Sequence, residues 1–281
     1  MAAERKLKTG QIIIPNNDNY VKFSEKFNYI ETSDQLKAIN DIENDLSSGV
    51  PMDRLICGDV GFGKTEIAIR AAFKAVDNGL QVVFLVPTTI LAFQHFKNLQ
   101  KRLKDFPLKI DYINRFRTQK DRTKIFKQTE EGEIDILIGT HQVVNRKINF
   151  KNLGLLIVDE EQKFGVSIKE KLRAFKPNVD VLALTATPIP RTLQFSLMNA
   201  RDLSIINTPP PNRFPVETIV QSFSEDTIKE AIDYEIEREG QVFFVHNRVQ
   251  NINEIAAMIT RLCPNARIAV GHGQMEGKKL E

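Results

Sequence analysis

A chain of 281 residues, 42% hydrophobic and 27% charged, holds enough apolar side chain for a substantial core, and its length suits two domains. Its 39 Lys and Arg against 36 Asp and Glu leave a formal charge of +3, which permits a nucleic-acid partner without arguing for one. No apolar run approaches the ~20 residues of a membrane helix, and no apolar stretch follows the charged start MAAERKLKTG as in a secretory signal, so no membrane role and a cytoplasmic location are expected.

In chain order, residues 1–26 read as a polar N-terminal connector with a loop signal, Pro15-Asn16-Asn17-Asp18-Asn19, inside it. Gln11–Pro15 (QIIIP) is either a short edge strand or an anchor onto the body. Ser33 is the expected N-cap of a helix Gln35–Leu46, whose Leu36, Ile39, Ile42 and Leu46 share one face. Strands and helices then alternate: strand Arg54–Cys57, helix Glu66–Val76, strand Gln81–Val86, helix Thr88–Lys104, strand Lys109–Ile113 and helix Thr118–Glu131. Strands Ile134–Ile138 and Leu153–Val158, helix Val166–Phe175 and strand Val179–Leu184 complete the series. Several of these strands are continuous apolar runs, the pattern of strands buried on both faces, so the expected fold is an α/β three-layer parallel sheet with helices on both faces. Lys101, Arg102 and Lys104 read as a solvated helix face, and Cys57 and Cys263, far apart and beside apolar residues, as two reduced core thiols.

Thr208-Pro209-Pro210-Pro211-Asn212 is a stiff hinge signal. A second series follows it: strand Val216–Gln221, helix Glu225–Arg238, strand Gln241–His246, helix Asn251–Leu262 and strand Arg267–Val270. Three strands and two helices are marginal as an independent core. The expected division is therefore a first lobe over 27–208 and the N-terminal part of a second, truncated lobe over 209–281.

The chemistry concentrates at Leu55–Thr65, LICGDVGFGKT, where an apolar run enters the pattern G-x-x-x-x-G-K-[ST]. Glycines let successive backbone N–H groups converge on phosphate oxygens at little conformational cost. Gly58, Asp59, Val60, Gly61, Phe62, Gly63, Lys64 and Thr65 thus form a candidate cradle for ATP and Mg2+. Lys64 faces the β- and γ-phosphates and the Thr65 hydroxyl is a ligand for the ion. The helix after the loop adds an N-terminus that favours anions. The strand Leu153–Val158 ends in Asp159 and Glu160, at the edge where ligands collect in a parallel sheet. Asp159 is the candidate Mg2+ partner, and Glu160 the candidate general base for the attacking water. Thr185–Thr192 (TATPIPRT) sets two hydroxyl residues and two prolines after a buried strand; from the residues alone it is either a plain strand-to-helix turn or part of the same mouth. His141 has no second His or Cys at ligand spacing and is not a metal candidate.

GDVGFGKT, PTTILAFQH, GTH, DEEQ and TATPIPRT, in this order, resemble the motifs of superfamily 2 helicases and translocases. LLIVDEEQKFGV, TPPPNR and GHGQM tilt the resemblance, which covers roughly Phe27 to Glu281, toward the bacterial transcription-repair coupling factors, with the RecG helicases as cousins. That resemblance implies RecA-like lobes, ATP hydrolysis acting on DNA, and a double-stranded DNA translocase that displaces stalled RNA polymerase during transcription-coupled DNA repair. RNA polymerase and excision-repair proteins would be met through domains outside this chain. By position it makes Gln35 an adenine reader, with Phe27 or Tyr29 near the base. It makes Gln162, Thr185, Thr187 and Arg191 couplers of hydrolysis to movement, and Thr88, Thr89, Thr140 and His141 contacts to the DNA backbone. Asn247 and Arg248 match a segment facing DNA or the nucleotide cleft. Arg115 and Arg117 are either counter-charges for DNA or exposed loop arginines. A complete second lobe brings arginines worth ~10³–10⁵ in rate to the nucleotide. The motif that carries them is not found, so this chain is expected to bind ATP·Mg2+ and hydrolyse it poorly. Two alternatives stand beside this reading: a RecG-like fork-remodelling or branch-migration helicase, and a non-catalytic nucleotide- or DNA-binding module.

Overall fold

The computed structural model describes residues 10–13, 17–145, 148–165, 178–186, 201–211, 213 and 216–275. The chain divides into two compact units, Met1–Arg213 and Phe214–Glu281. The first is built on strands β1 (Asp53–Gly58), β2 (Gln81–Leu85), β3 (Ile110–Ile113), β4 (Ile136–Gly139), β5 (Leu153–Val158), β6 (Asp180–Thr185) and β7 (Asp202–Ile206). They form one seven-stranded sheet in the order β3-β4-β2-β5-β6-β1-β7, and every pairing is parallel.

The apolar runs are explained by helices on both faces. Alternation along each strand sends neighbouring residues to opposite sides. Val82, Phe84, Ile136, Ile138, Leu155 and Ile157 join one buried cluster with helices α1 (Asp18–Glu25), α2 (Ser33–Ser47), α3 (Lys64–Asp77) and α4 (Thr89–Arg102). Val83, Leu85, Leu137, Leu156 and Val158 join a second cluster with Ile125 and Phe126 of α5 (Gln119–Glu131) and with Val143 and Val144 of α6 (Gln142–Asn145). The three-layer α/β expectation is met.

Three local expectations change, and one open alternative is decided. Within the stretch expected to be a connector, α1 begins at the side-chain cap of Asn17 and buries Tyr20 and Phe23. Phe23 is fully buried and stacks on Phe73 with ring centroids 4.3 Å apart, so this part of the chain belongs to the core. The cap of α2 is Thr32, not Ser33, because Thr32 and Gln35 close a reciprocal capping box. Residues 11–13 are an anchor rather than a strand: Ile13 is buried and its N–H donates to Leu46 O at 2.9 Å. Arg102 is not a solvated charge, since its guanidinium lies 3.9 Å from the Phe23 ring centroid and pairs with Glu66 at 2.8 Å. Strand β7 was not anticipated, and the expected helix Val166–Phe175 lies outside the described residues.

The second unit contains α7 (Glu225–Glu237) and α8 (Ile252–Leu262), joined through Ile232, Ile259 and Cys263. The three strands expected there are corrected: residues 216–221, 241–246 and 267–270 carry no ladder. A strand exists through its pairing, and here Val220 and Phe243 stand 93% and 92% exposed, with no strand among the described residues of the unit to cover them. Cys57 and Cys263 are both buried, and neither forms a disulfide. Among the described residues no helix is long and apolar enough to cross a membrane.

Candidate functional site

Because all seven strands run the same way, every strand's carboxyl end opens on one edge of the sheet, and the candidate residues sort along that edge. The phosphate loop leaves β1 between the ends of β6 and β7. Gly61 and Gly63 adopt φ of 80° and 76°, the left-handed region that glycine enters freely. A Cβ on Gly63 would also stand 2.5 Å from Gln35 Nε2, so a side chain there would strain the backbone and push the Gln35 amide aside. Lys64 opens α3, and its ammonium donates to the carbonyls of Gly58 at 2.7 Å and Asp59 at 2.9 Å. Burial pulls it below the ordinary lysine value, opposed by the attraction of Glu160, Asp159 and Asp59. Thr65 lies in the same first turn.

Gln35 reaches this loop from α2 and is buried. Its Oε1 accepts from the Thr32 N–H at 2.9 Å, and its Nε2 donates to Phe62 O at 3.0 Å. The residue expected to read adenine therefore also ties a helix cap to the phosphate loop.

Asp159 directly follows β5, with its N–H donating to Leu85 O on the neighbouring β2 at 2.8 Å. Its Oδ2 lies 2.9 Å from His95 Nε2 of α4, whose ring lies beside Phe84 with centroids 4.7 Å apart. Glu160 follows at φ 52°, a conformation that costs a non-glycine residue of order 1–3 kcal/mol and clusters at functional sites. The Glu160 carboxylate accepts from Gln162 Nε2, and Gln162 Oε1 accepts from Thr185 Oγ1 at 3.0 Å. The candidate base, a candidate coupler and the hydroxyl at the end of β6 thus form one hydrogen-bonded chain. A hydroxyl and a carboxylate are the hard oxygen donors that Mg2+ takes, and Thr65 and Asp159 would hold it with the nucleotide's phosphates.

The other half of the edge, at β2, β4 and β3, carries the residues matched to DNA contacts. Thr88 is exposed and caps α4 by accepting from Leu91 N at 3.2 Å, with Thr89 as the first helical residue. Thr140 is 3% exposed, and its carbonyl starts the α6 turn by accepting from Val143 N, while His141 beside it is exposed. Arg115 is exposed after β3; Arg117 pairs with Asp111 at 2.9 Å and lies 4.3 Å from the Tyr112 ring centroid. Asn247 and Arg248 are exposed residues of the second unit. Thr187 and Arg191 lie outside the described residues.

Three participants escaped the sequence reading. His95 is one buried polar residue on an otherwise ordinary helix, a weak signal. Asp34 accepts at 2.9 Å from the N–H groups of Asn207 and Thr208 and from the Thr208 hydroxyl, which holds its carboxyl below the ordinary range. Arg213 pairs with Asp59 at 2.8 Å and lies 4.7 Å from the Phe62 ring centroid.

A parallel sheet with a phosphate loop, an acidic strand end and a hydroxyl strand end is a helicase-type nucleotide fold, and the DEAD/DEAH box helicase family matches residues 32–195. The chain belongs to that family. It is 50% identical over 279 residues to the Transcription-repair-coupling factor of Bacillus subtilis (strain 168), and 52% identical over 282 residues to the protein of that name from Staphylococcus aureus (strain USA300). Each alignment covers 99% of this chain, which spans only 24% of those relatives' length. Among solved structures, RecG bound to a three-way DNA junction matches with TM-score 0.76 and 31% identity, over 92% of this chain and 35% of that one. The DUF1998 helicase MrfA bound to DNA shares the fold at TM-score 0.64 and 14% identity, over 92% of this chain and 40% of that one.

Proposed function

We propose that this chain is the ATP-binding part of a double-stranded DNA translocase motor that serves transcription-coupled repair, displacing stalled RNA polymerase in the intact protein. The observation that carries the reading is the hydrogen-bonded chain Glu160–Gln162–Thr185 beside a complete phosphate loop. It gives a general base a physical link to a second strand end, which a nucleotide-binding module without turnover does not need. The first lobe extends back to include α1 and forward through Arg213, and the residues after it are the opening part of a second RecA-like lobe. Lys64 and the loop amides bind the triphosphate, Thr65 and Asp159 would hold a Mg2+ that would supply charge neutralisation to the phosphates, and Glu160 orients and deprotonates water. Gln162, Thr185, Thr187 and Arg191 pass the change to the DNA half of the edge. There Thr88, Thr89, His141 and Arg115 meet phosphates, contacts that position a duplex without reading its sequence. Asn247 and Arg248, exposed residues of the second unit, are candidate contacts to DNA or nucleotide. RNA polymerase and excision-repair proteins are partners of the rest of the protein.

The test is ATP hydrolysis and nucleotide binding by the 281-residue chain and its Glu160→Gln variant, with and without duplex DNA. The wild type binds ATP·Mg2+ and turns over slowly with little DNA stimulation. The variant binds equally and loses the residual turnover by ~10²-fold or more, the usual contribution of a general base. Equal rates in both would make the chain a binding module. The RecG likeness supports a second reading, a fork-remodelling helicase, which preference for three-way junctions over plain duplex by the intact protein would favour.

A further inference from the structure

The segment after β7 is fastened to the nucleotide machinery at two points, and neither fastening has been assigned a task. It leaves the sheet beside the phosphate loop, since Ile206 is the register partner of Gly58, and a Cβ on Gly58 would stand 3.1 Å from Ile206 Cβ. Asn207 and Thr208 then donate three hydrogen bonds to Asp34, the residue before Gln35. Three consecutive prolines follow, which have no N–H of their own, and the Arg213 N–H donates back to Pro210 O at 3.4 Å. Arg213, the last residue of the first unit, returns to the loop, with its guanidinium paired to the Asp59 carboxylate at 2.8 Å and set 4.7 Å from the Phe62 ring centroid.

Asp59 and Phe62 bracket the loop's turn: the Phe62 N–H donates to Asp59 O at 3.2 Å, and Asp59 Oδ1 accepts from the Val60 N–H at 2.7 Å. A planar cation that pairs with one end and stacks on the other clips the turn closed. It also neutralises a carboxylate that would repel phosphates. We propose that Arg213 is a positioning residue for the phosphate loop: it acts through Asp59 and Phe62 to keep the loop shaped for a triphosphate. The strap that carries it thereby links loop geometry to the segment entering the second unit. This rests on the nucleotide-binding reading above.

The experiment is a double-mutant cycle on the 281-residue chain with Arg213→Ala, Asp59→Asn and the pair, read by fluorescence titration with a methylanthraniloyl-ATP probe. Hydrogen exchange of the loop amides in the nucleotide-free chain is read in parallel. An exposed ion pair with a cation–π contact is worth roughly three- to tenfold. Arg213→Ala therefore weakens probe binding by about that factor, Asp59→Asn by a similar factor, and the pair by no more than the larger single effect. Arg213→Ala also speeds exchange at Val60 and Phe62 while the sheet amides keep their protection. Unchanged binding and exchange in Arg213→Ala would overturn the proposal. So would additive effects with tighter binding in Asp59→Asn, which would make Arg213 a direct phosphate ligand. If Arg213→Ala does not fold, the Asp59→Asn arm alone decides between weaker and tighter binding. Failure of the wild type to bind the probe would overturn the nucleotide reading, while the exchange arm still tests the clip.

Discussion

Replacing Gln35 by alanine separates a base reader from a structural tie. The side chain makes two buried hydrogen bonds, one to the Thr32 N–H at 2.9 Å and one to Phe62 O at 3.0 Å. Each is worth about 1 kcal/mol net, and a partner left buried and unsatisfied costs ~1–3 kcal/mol. The Thr32 N–H sits at a helix start where its half of the capping box is lost, while Phe62 O keeps a second lone pair for water, so we take about 2–3 kcal/mol for the pair. For a unit of this size that lowers the melting temperature by roughly 4–10 °C. The assay is thermal unfolding of the first unit, followed by far-ultraviolet circular dichroism, combined with titration of ATP and GTP. A tie predicts a lower midpoint and weaker binding of both nucleotides by a common factor. Gln35→Glu keeps the acceptor for Thr32 but faces Phe62 O with a carboxylate, so it loses as much at neutral pH. An unchanged midpoint with lost preference for ATP over GTP would refute this reasoning and leave Gln35 a base reader alone.

Phe23→Ala empties a fully buried site stacked on Phe73 and edged by Phe106, and costs ~3–5 kcal/mol by chemical denaturation; a cost near zero would return residues 17–26 to a connector. His95→Ala removes the partner of Asp159 Oδ2, so the Mg2+ concentration needed for half-maximal ATP binding rises by ~10-fold or more, and an unmoved midpoint would show that Asp159 needs no orienting. Asp34 is held below its ordinary value of 3.8 by the hydrogen bonds of Thr208 and Asn207, so its ionised form stabilises the strap above that value, and the stabilisation is lost as pH falls through the lowered value. Acid titrations of wild type and Asp34→Asn, followed by exchange at Asn207 and Thr208, should differ at neutral pH and converge once pH has fallen through the lowered value.

The sheet was legible because its strands are apolar on both faces, a pattern that needs no tertiary knowledge. The phosphate loop and the acidic end of β5 were legible because their residue types have few other uses at that spacing. Helix α1 was hidden by the polar DNYVKFSE composition, although Asn17 as a cap and Tyr20 with Phe23 at helical spacing were readable. The opposite error came in the second unit, where apolar runs such as QVFFV look like strands but pairing, not composition, makes a strand. His95, Asp34 and Arg213 were invisible for a different reason. Each acts through partners far away in sequence, and no local pattern records that.

The position of β1 in the sheet has a consequence for synthesis. Its neighbours are β6 and β7, so its ladder waits for Val181 and Asp202 to be made, while the β2–β4–β3 half can pair from local sequence much earlier. At ~5–20 residues per second the loop spends on the order of ten seconds or more on the ribosome without the strands that flank it. During that interval β1 lacks both of its ladder partners, and the loop it feeds is shaped only by its own turn contacts, such as the hydrogen bond from the Phe62 N–H to Asp59 O.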